Sequence, residues 1–575
     1  MKKSRSNPFS RRSALKAAAG CGLMSNTAIM SQFINLQATK AMASTGNPTG
    51  YKAIVCVFLA GAIDSFNLLS PYDGTDTTGE RGNYLTARNG QRNAGNPNQP
   101  GFNAGIGLGL RKGGATYESN DYLSTQINGG DTQGNRNFGL HPGCGYEADP
   151  ATVGDSQQTG AAGGYLYTGL NDASGGKNGM GTGIAGLYRE GNLAFVANVG
   201  SLPYPITRAQ YNSNEFQNGK PARPLGLFSH SDLQRHWQTS VPQSRAQVNG
   251  WGGRLADCFQ ATNGEATVSM NMSINGVNIF QTGTDVVPYT VGQGATATGM
   301  NGANTLNDYP LGTQTSYEDR AFNTLTDGIL GQTYSDLVAE SFRSQNQGSI
   351  QAALDFNAAT NSIELTTPFE YGGGGESDLG RRLRQVARII GCSNPSSAQY
   401  NAATSLNQTR QVFFVQEGGW DHHANMITSM DGKIHEVSKA LTSFYRALEE
   451  LGVADDVVTF TASDFGRTLR TNGIGSDHAW GGNHIIMGGG MGTKGTGGKI
   501  YGKYPTNLAL PTDPVVGNLD VGQRRLIPTT AVDEFAAEMA RWYGIDDQAD
   551  LSVVLPNIGE FYNVDGASSG PLGIL

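Results

Sequence analysis

The chain has 575 residues, of which 40 are Lys or Arg and 48 are Asp or Glu, so its formal net charge is −8 and its pI is about 5.6. This acidic balance argues against non-specific binding to nucleic acid, which requires a basic surface. Charged residues are only 15% of the chain and glycines number 81, a composition more typical of an exported protein than of a cytosolic one. The 38% of hydrophobic residues is enough for a folded core, which argues against wholesale disorder.

The N-terminal segment has the organisation of a secretory signal. A basic region with the pair Arg11 and Arg12 precedes a mild apolar stretch, and residues 41–43 (AMA) match a cleavage pattern. The paired arginines are typical of a twin-arginine signal. We therefore predict that residues 1–43 are a signal peptide read by the twin-arginine translocase, and that the mature protein is periplasmic or secreted.

The five cysteines carry little functional information. Cys21 lies within the apolar stretch, so a lipid anchor through Cys21 is a minor alternative. The other four are widely spaced and form no C-x-x-C pair, which argues against a cysteine zinc site. They are Cys56, Cys144, Cys258 and Cys392. One disulfide can form among them in an oxidising compartment, and its pairing stays open.

Strand and helix patterns alternate along the chain. Near-continuous apolar runs predict buried strands at residues 52–59, 193–199, 411–415 and 456–461. Helical spacing of apolar side chains predicts helices at residues 229–239, 317–357, 379–390, 434–451 and 531–543. Strands that alternate with helices predict an α/β fold with a mostly parallel central sheet. No stretch reaches the ~18 apolar residues of a transmembrane helix.

Two polar, glycine-rich stretches interrupt this pattern. Residues 73–180 are rich in Gly, Asn and Thr, and residues 259–315 show strand-like alternation near residues 267–279. A loop this long in a compact domain is usually functional or carries short elements of its own. We predict insertions near 73–180 and 259–315, with a small antiparallel sheet in the second.

Acidic and histidine residues gather where the predicted strands end. Clusters follow three strands, at residues 64–65 (DS), 418–423 (GGWDHH) and 463–467 (SDFGR), and a fourth spans residues 476–484. Ligand sites of open α/β sheets lie beyond the carboxyl ends of the strands, so these clusters are expected to converge. Asp and His together suit Zn²⁺, Mn²⁺ or Fe. The alternative interpretation is that these residues are helix caps and turn residues.

The same clusters carry a resemblance to a known family. The chain is similar to the uncharacterised family called domain of unknown function 1501, which is grouped with the alkaline phosphatase and sulfatase superfamily. The resemblance is carried by the twin-arginine start and by residues 61–67, 71–72, 139–142, 191–200, 229–230, 237–239, 250–254, 418–423, 463–468 and 476–478. It implies an alkaline phosphatase-like three-layer α/β/α fold, formed as a single domain by residues 44–575.

The resemblance also implies roles for individual residues. Six side chains would hold one or two divalent ions, Zn²⁺ or Mn²⁺: Asp64, Asp421, His423, Asp464, His478 and His484. Ser229, at a predicted helix N-terminus, is the first candidate for a nucleophile, and Ser65 is the second. Arg467 would bind a substrate oxyanion in a bidentate manner, unless it forms an ordinary salt bridge.

The function implied is that of an exported metal-dependent hydrolase. Phosphate esters are favoured over sulfate esters because the chain has no C/S-x-P-x-R motif near the expected site. The substrate, small molecule or polymer, stays open. The alternative is a catalytically inactive member that serves as an exported binding or assembly protein, which Phe465 favours because it stands where the superfamily often has His. A nucleotide ligand is not expected, since residues 488–492 lack the Lys-Ser/Thr of a P-loop.

Overall fold

A computed structural model describes thirteen parts of the chain. They are residues 50–71, 79–89, 127–128, 137–141, 144, 183–263, 266, 268–292, 328–371, 375–506, 508, 519–564 and 570–575. The predicted signal peptide, Cys21 and most of the predicted insertion at 73–180 lie outside the described residues.

The described residues form 18 strands. In chain order they are β1 (Lys52–Leu59), β2 (Leu69–Pro71), β3 (Ile127–Asn128), β4 (Asn137–Leu140), β5 (Leu193–Gly200), β6 (Phe216–Gln217), β7 (Lys220–Pro221), β8 (Asn271–Ser273), β9 (Tyr289–Thr290), β10 (Glu370–Tyr371), β11 (Gly375–Glu376), β12 (Arg410–Glu417), β13 (Val457–Ser463), β14 (Arg467–Thr471), β15 (Ser476–His478), β16 (Gly482–Gly488), β17 (Ile500–Gly502) and β18 (Thr530–Ala531).

They also form 12 α-helices. These are α1 (Ser65–Leu68), α2 (Gly79–Asn89), α3 (Ile184–Arg189), α4 (Arg208–Ser213), α5 (His230–Thr239), α6 (Trp251–Phe259), α7 (Leu337–Asn361), α8 (Asp378–Ser393), α9 (Met426–Glu450), α10 (Met491–Lys494), α11 (Val532–Tyr543) and α12 (Gln548–Val554). None of the helices in the described parts of the chain is long and apolar enough to cross a membrane.

One nine-stranded sheet organises the molecule. Its strand order is β17-β5-β16-β13-β1-β12-β8-β9, and β18 pairs with β5 as well. Strand β16 runs antiparallel to both of its neighbours, β13 and β5, whereas every other pairing in this sheet is parallel. The fold is therefore mixed α/β with a mostly parallel central sheet, as the alternating sequence pattern predicts.

Helices cover both faces of this sheet. Gln411 and Phe414 lie three positions apart in β12, so their side chains point to opposite faces. Gln411 donates a hydrogen bond to Ser393 of α8 over 3.1 Å. The Phe414 ring lies 6.0 Å from the ring of Phe280, which packs 4.8 Å from Trp251 of α6. Because both faces are covered, the central strands are apolar along their whole length, which explains the continuous runs in the sequence.

The predicted helix at residues 317–357 is confirmed only from Leu337 onward, as α7, and its residues 317–327 lie outside the described residues. The other predicted strands and helices are confirmed except around residues 267–279. There β8 joins the central sheet as a parallel neighbour of β12, so the prediction of a separate antiparallel sheet is wrong. The alternation that suggested it does reflect a strand, in which Met270 and Met272 are buried. Its polar residue Asn271 is buried too, and donates to the carbonyl of Gln281 over 2.7 Å. The side-chain nitrogen of this polar position thus has its partner inside the protein rather than in water.

The four described cysteines are all free and buried, and so form no disulfide with one another. Each lies in the apolar interior, where burial raises the pKa of its thiol. They act as small hydrophobic side chains of the core.

Candidate metal centre

The carboxyl ends of three central strands lie level with one another. Leu59, the last residue of β1, is in register with Glu417 of β12 and with Ser463 of β13. The loops that follow these strands therefore leave the sheet at the same edge, as the sequence predicts. This edge brings Asp421 and Asp464 together.

A glycine allows two of these loops to touch. Gly61 has a φ of +112°, and a Cβ atom there would lie only 2.7 Å from the backbone nitrogen of Asp421. Its own N–H donates to the Asp464 carboxylate over 3.1 Å. A larger residue would push the Asp421 loop away, so Gly61 sets the spacing of the two aspartates.

Two histidines reach the same edge from other elements. His230 is the first residue of α5, preceded by Ser229 at the N-cap. His478 is the last residue of β15 and pairs in register with Arg467 of β14, so the β14–β15 hairpin carries it over the strand ends.

The side chains of His230, Asp421 and His478 form a compact triad. One potential ligand atom of each lies within 4.8 Å of the other two. The two Nε2 atoms are 3.1 Å apart, and each lies 3.5 Å from an oxygen of Asp421. His423 adds a third imidazole, whose Nε2 is 3.0 Å from both His478 Nε2 and Asp421 Oδ1.

Hydrogen bonds on the far side of each ring fix the three tautomers. Asp464 Oδ2 lies 2.6 Å from His230 Nδ1, the carbonyl oxygen of Phe228 lies 2.8 Å from His478 Nδ1, and Asp477 Oδ1 lies 3.2 Å from His423 Nδ1. A carbonyl oxygen or an ionised carboxylate only accepts, so each neutral ring donates from Nδ1 and carries a lone pair on Nε2. The three lone pairs therefore face one another and the Asp421 carboxylate.

This arrangement fits a metal ion. Lone pairs at 3.0–3.5 Å from one another repel unless a proton or a cation lies between them. Ligand atoms at tetrahedral zinc bond lengths of ~2.0–2.1 Å are about 3.3–3.4 Å apart, which matches the observed spacing. Imidazoles whose second nitrogen donates to a carboxylate or a carbonyl are the usual metal-binding histidines.

The pKa values of the three triad side chains shift in different directions. Partial burial alone would raise the pKa of Asp421, but the charge and hydrogen bond of Arg467 and the nearby His423 and His230 lower it overall. Burial lowers the pKa of His478, so its ring stays neutral and able to bind a metal. The hydrogen bond from Asp464 is the main cause that raises the pKa of His230. Asp421 is therefore an anion that faces imidazole nitrogens.

Arg467 holds Asp421 and is fully buried. It bonds to the Asp421 carboxylate, and its other N–H groups donate to the carbonyls of Ala62, Ser476 and Gly61 over 3.0, 2.6 and 3.2 Å. These contacts occupy its guanidinium, which has no face left for a ligand. The structure thus places Arg467 in the ordinary salt bridge that the sequence left open, where it positions Asp421.

The other predicted ligands have different surroundings. Asp464 is buried and accepts from His230, from Gln234 over 2.9 Å and from Gly61, so it orients a ligand. Asp64 is buried as well, and both of its oxygens bond to Arg88 over 2.6 Å. One of these oxygens also accepts a hydrogen bond from Asn67 over 3.1 Å.

His484 lies inside the sheet rather than at its edge. It belongs to β16, is 2% exposed, and packs 4.8 Å from the ring of Trp237. Burial lowers its pKa to about 3. It is a neutral core residue, and the structure brings only Asp421, His423 and His478 of the six predicted ligands into one cluster.

The two candidate nucleophiles also differ. The Ser65 hydroxyl is buried and accepts a hydrogen bond from the backbone of Asn483 over 2.7 Å, which joins α1 to β16. The Ser229 hydroxyl is half-buried and lies 3.2 Å from that of Ser231, and Ser229 precedes the triad residue His230 in the chain. Ser229 is the more accessible of the two.

The sequence reasoning did not assign a role to His230. The candidate ligands were residues that follow predicted strands, whereas His230 begins a helix. The available signal was its place directly after Ser229, the serine already expected at that helix start. A histidine in the first turn of a helix that points at the strand ends can reach the site as well as a histidine that follows a strand.

Comparison with protein families gives one match, over part of the chain. No curated protein matches the chain. The family model matches residues 380–555, a segment that includes Asp421, His423, Asp464, Arg467 and His478 but excludes His230 and Asp64. This model is described as "Protein of unknown function (DUF1501)".

Proposed function

We propose that the protein is an exported, metal-dependent hydrolase of phosphate esters. The observation that carries this proposal is the set of three imidazole lone pairs that face the Asp421 carboxylate, with every Nδ1 engaged. Such a donor set at the carboxyl ends of parallel strands occupies the usual place of an α/β active site. Export rests on the signal predicted for residues 1–43.

The donor set favours one ion, and zinc above manganese. Nitrogen ligands with a single carboxylate are typical of zinc, whereas manganese prefers more oxygen ligands. A second ion has no comparable donor set among the described residues, because Asp64 is paired with Arg88. When bound, a divalent ion would supply Lewis-acid polarisation of a phosphoryl oxygen.

The protein's own residues would orient the reaction. Asp464, Arg467 and the Phe228 carbonyl hold the triad in place, so little rearrangement is needed when an ester binds. His423 is 45% exposed at its side chain and is backed by Asp477. It would serve either as a fourth ligand or as the base that takes a proton at Nε2 from the attacking group. That group would be water or the Ser229 hydroxyl.

A second candidate is a protein that binds a metal and a partner without catalysis. Phe465 favours it, because this buried ring lies 4.8 Å from the rings of both His230 and His478. The aromatic ring fills one side of the centre where the superfamily often has a histidine. An exported binding or assembly protein of this kind would hold the ion for structure alone.

Metal analysis and an ester panel test the proposal together. We expect the purified mature protein to hold close to one equivalent of zinc and to hydrolyse a phosphate monoester faster than a sulfate ester. Asp421→Asn and His478→Ala should each lose the metal and the activity, while the exposed Asp546→Asn should keep both. These ligands lie at a sheet edge, so the thermal midpoints of the metal-free variants should stay close to that of the metal-free parent.

Two results would count against the proposal. Protein that takes up no divalent ion after dialysis against zinc and manganese would remove the metal centre itself. Protein that holds the metal and turns over neither class of ester would favour the binding candidate.

A further inference from the structure

A second arginine lies beside the triad and differs from Arg467 in its free donors. Arg525 lies within a tight turn closed by the bridge between Asp520 and Leu526. Its Nε donates to the backbone carbonyl of His478 over 2.8 Å, and its guanidinium lies 4.5 Å above the ring of Phe228. Arg525 is therefore held by the backbone of His478 and by Phe228, whose carbonyl also fixes the His478 ring.

The outer end of the Arg525 side chain has donors to offer. No carboxylate in the described parts of the chain lies within ion-pair distance of it, and its hydrogen bond to His478 uses Nε alone. Arg223 shows the contrast, because it also stacks on an aromatic ring, 4.6 Å from Tyr211, yet donates through both Nε and Nη2 to backbone carbonyls. Arg525 is half-buried, and its two terminal nitrogens donate to no acceptor among the described residues.

The charges around the centre indicate the sign of the ligand that the Arg525 guanidinium would bind. Three carboxylates, Asp421, Asp464 and Asp477, stand against two guanidiniums, Arg467 and Arg525, which leaves one net negative charge. A divalent ion would convert this to one net positive charge. The metal-free centre therefore attracts a cation, and the loaded centre attracts an anion.

We infer that Arg525 is the anion-binding side chain of this centre, and that it receives two non-bridging oxygens of a tetrahedral oxyanion ester. The inference rests on the proposed function. A guanidinium fork matches two oxygens of a phosphate or sulfate group in a bidentate manner. Stacking on Phe228 keeps the fork planar and oriented before the ligand arrives. This assigns to Arg525 the oxyanion-binding role that the family resemblance implied for Arg467.

Titration with inorganic phosphate tests the inference without relying on turnover. Calorimetry on the zinc-loaded mature protein should show phosphate binding that Arg525→Gln weakens by about 10–100-fold, the loss expected for charge-assisted hydrogen bonds. Arg525→Lys should recover only part of the affinity, because it restores the charge without the fork. Arg223→Gln is the matched control and should bind phosphate like the parent.

Metal content measured on the same samples distinguishes a failure of the inference from a failure of the proposed function. Arg525→Gln that holds zinc and binds phosphate as tightly as the parent overturns the inference alone. Loaded parent protein that binds no phosphate does the same. Protein that holds no metal overturns the proposed function, and the inference with it. If Arg525→Gln is unfolded by circular dichroism, Arg525→Lys carries the test, and parental affinity in that variant would contradict a bidentate contact.

Discussion

Two aspartates at the same edge of the sheet have opposite environments. Asp64 follows β1, is completely buried, and gives both carboxylate oxygens to Arg88. Asp421 follows the neighbouring strand β12, has a side chain that is 45% exposed, and faces imidazole nitrogens. Both follow apolar strands in the sequence, and both were expected to bind a metal.

The difference shows that a place at the strand ends does not by itself make a ligand. A carboxylate whose two oxygens are both bonded to a guanidinium has its charge neutralised in place, which weakens its attraction for an ion. Asp421 also contacts an arginine, but it contacts three histidines as well. The partner side chains, rather than the strand end, decide which aspartate is structural.

The largest expected effect separates the two residues. Asp64→Asn should lower the free energy of unfolding by about 3–5 kcal/mol, because it leaves the buried charge of Arg88 unpaired. It should leave the zinc affinity of the folded protein nearly unchanged. Asp421→Asn should do the reverse, with metal binding lost and the urea midpoint of the metal-free protein close to that of the parent.

Replacing both members of the buried pair sharpens this comparison. Asp64→Leu combined with Arg88→Met should be more stable than Asp64→Asn, since no charge is left buried without a partner. The comparison breaks down if Asp64→Asn loses zinc while it remains folded, because Asp64 would then be a ligand after all.

A third aspartate extends the comparison to a buried carboxylate that forms no ion pair within the described parts of the chain. Asp533, in the first turn of α11, is fully buried, and burial raises its pKa to about 7, against smaller opposing effects of Ser240, Lys220 and Arg254. The unfolded chain binds no proton there above about pH 4, while the folded chain holds one up to about pH 7. This residue therefore favours folding most at low pH, and that contribution is lost as the pH rises from about 4 to about 7.

Asp533→Asn should accordingly raise the free energy of unfolding above pH 7, by about 3–4 kcal/mol if the full pKa difference applies. The gain should shrink toward zero near pH 4. Urea unfolding across this pH range measures it, with the exposed Asp546→Asn as control. A gain that is the same at pH 4 and pH 8 would show that Asp533 does not titrate in this window.

The smallest expected effect concerns the residue behind His230. Asp464→Asn keeps the size of the side chain but weakens the hydrogen bond that holds Nδ1. We expect zinc affinity to fall by about 10–100-fold, as is usual for residues that orient a ligand. Competition with a chelator of known affinity measures the change. An effect as large as that of Asp421→Asn would mean that Asp464 binds the ion directly.

The sequence predicts the frame of this protein better than its site. Residues 52–59 are the strand β1, because a strand covered on both faces must be apolar throughout. The same physics applies to β5, β12 and β13. The convergence of their loops follows from parallel topology, which makes the cluster around Asp421 predictable in outline.

Individual roles required contacts that no local pattern encodes. Arg88 lies in a glycine-rich stretch without clear periodicity, so nothing in the sequence pairs it with Asp64. His484 precedes the apolar residues Ile485, Ile486 and Met487, which in retrospect marks it as part of a buried strand. Side chains far apart in the chain meet through tertiary packing, and spacing along the chain does not reveal which of them do so.

The triad also links distant parts of the chain. His230 and His478 are 248 positions apart, and Asp421 lies between them on a third loop. An ion that binds only the folded state adds about 2.7 kcal/mol of stability at a hundredfold excess over its dissociation constant. Such an ion would act as a non-covalent cross-link between α5, the β12 loop and the β14–β15 hairpin. A chain in which any one of these segments is not packed in place would lack a metal ligand and would lose that stabilisation. Retention of the metal would therefore indicate that the whole edge of the sheet has assembled.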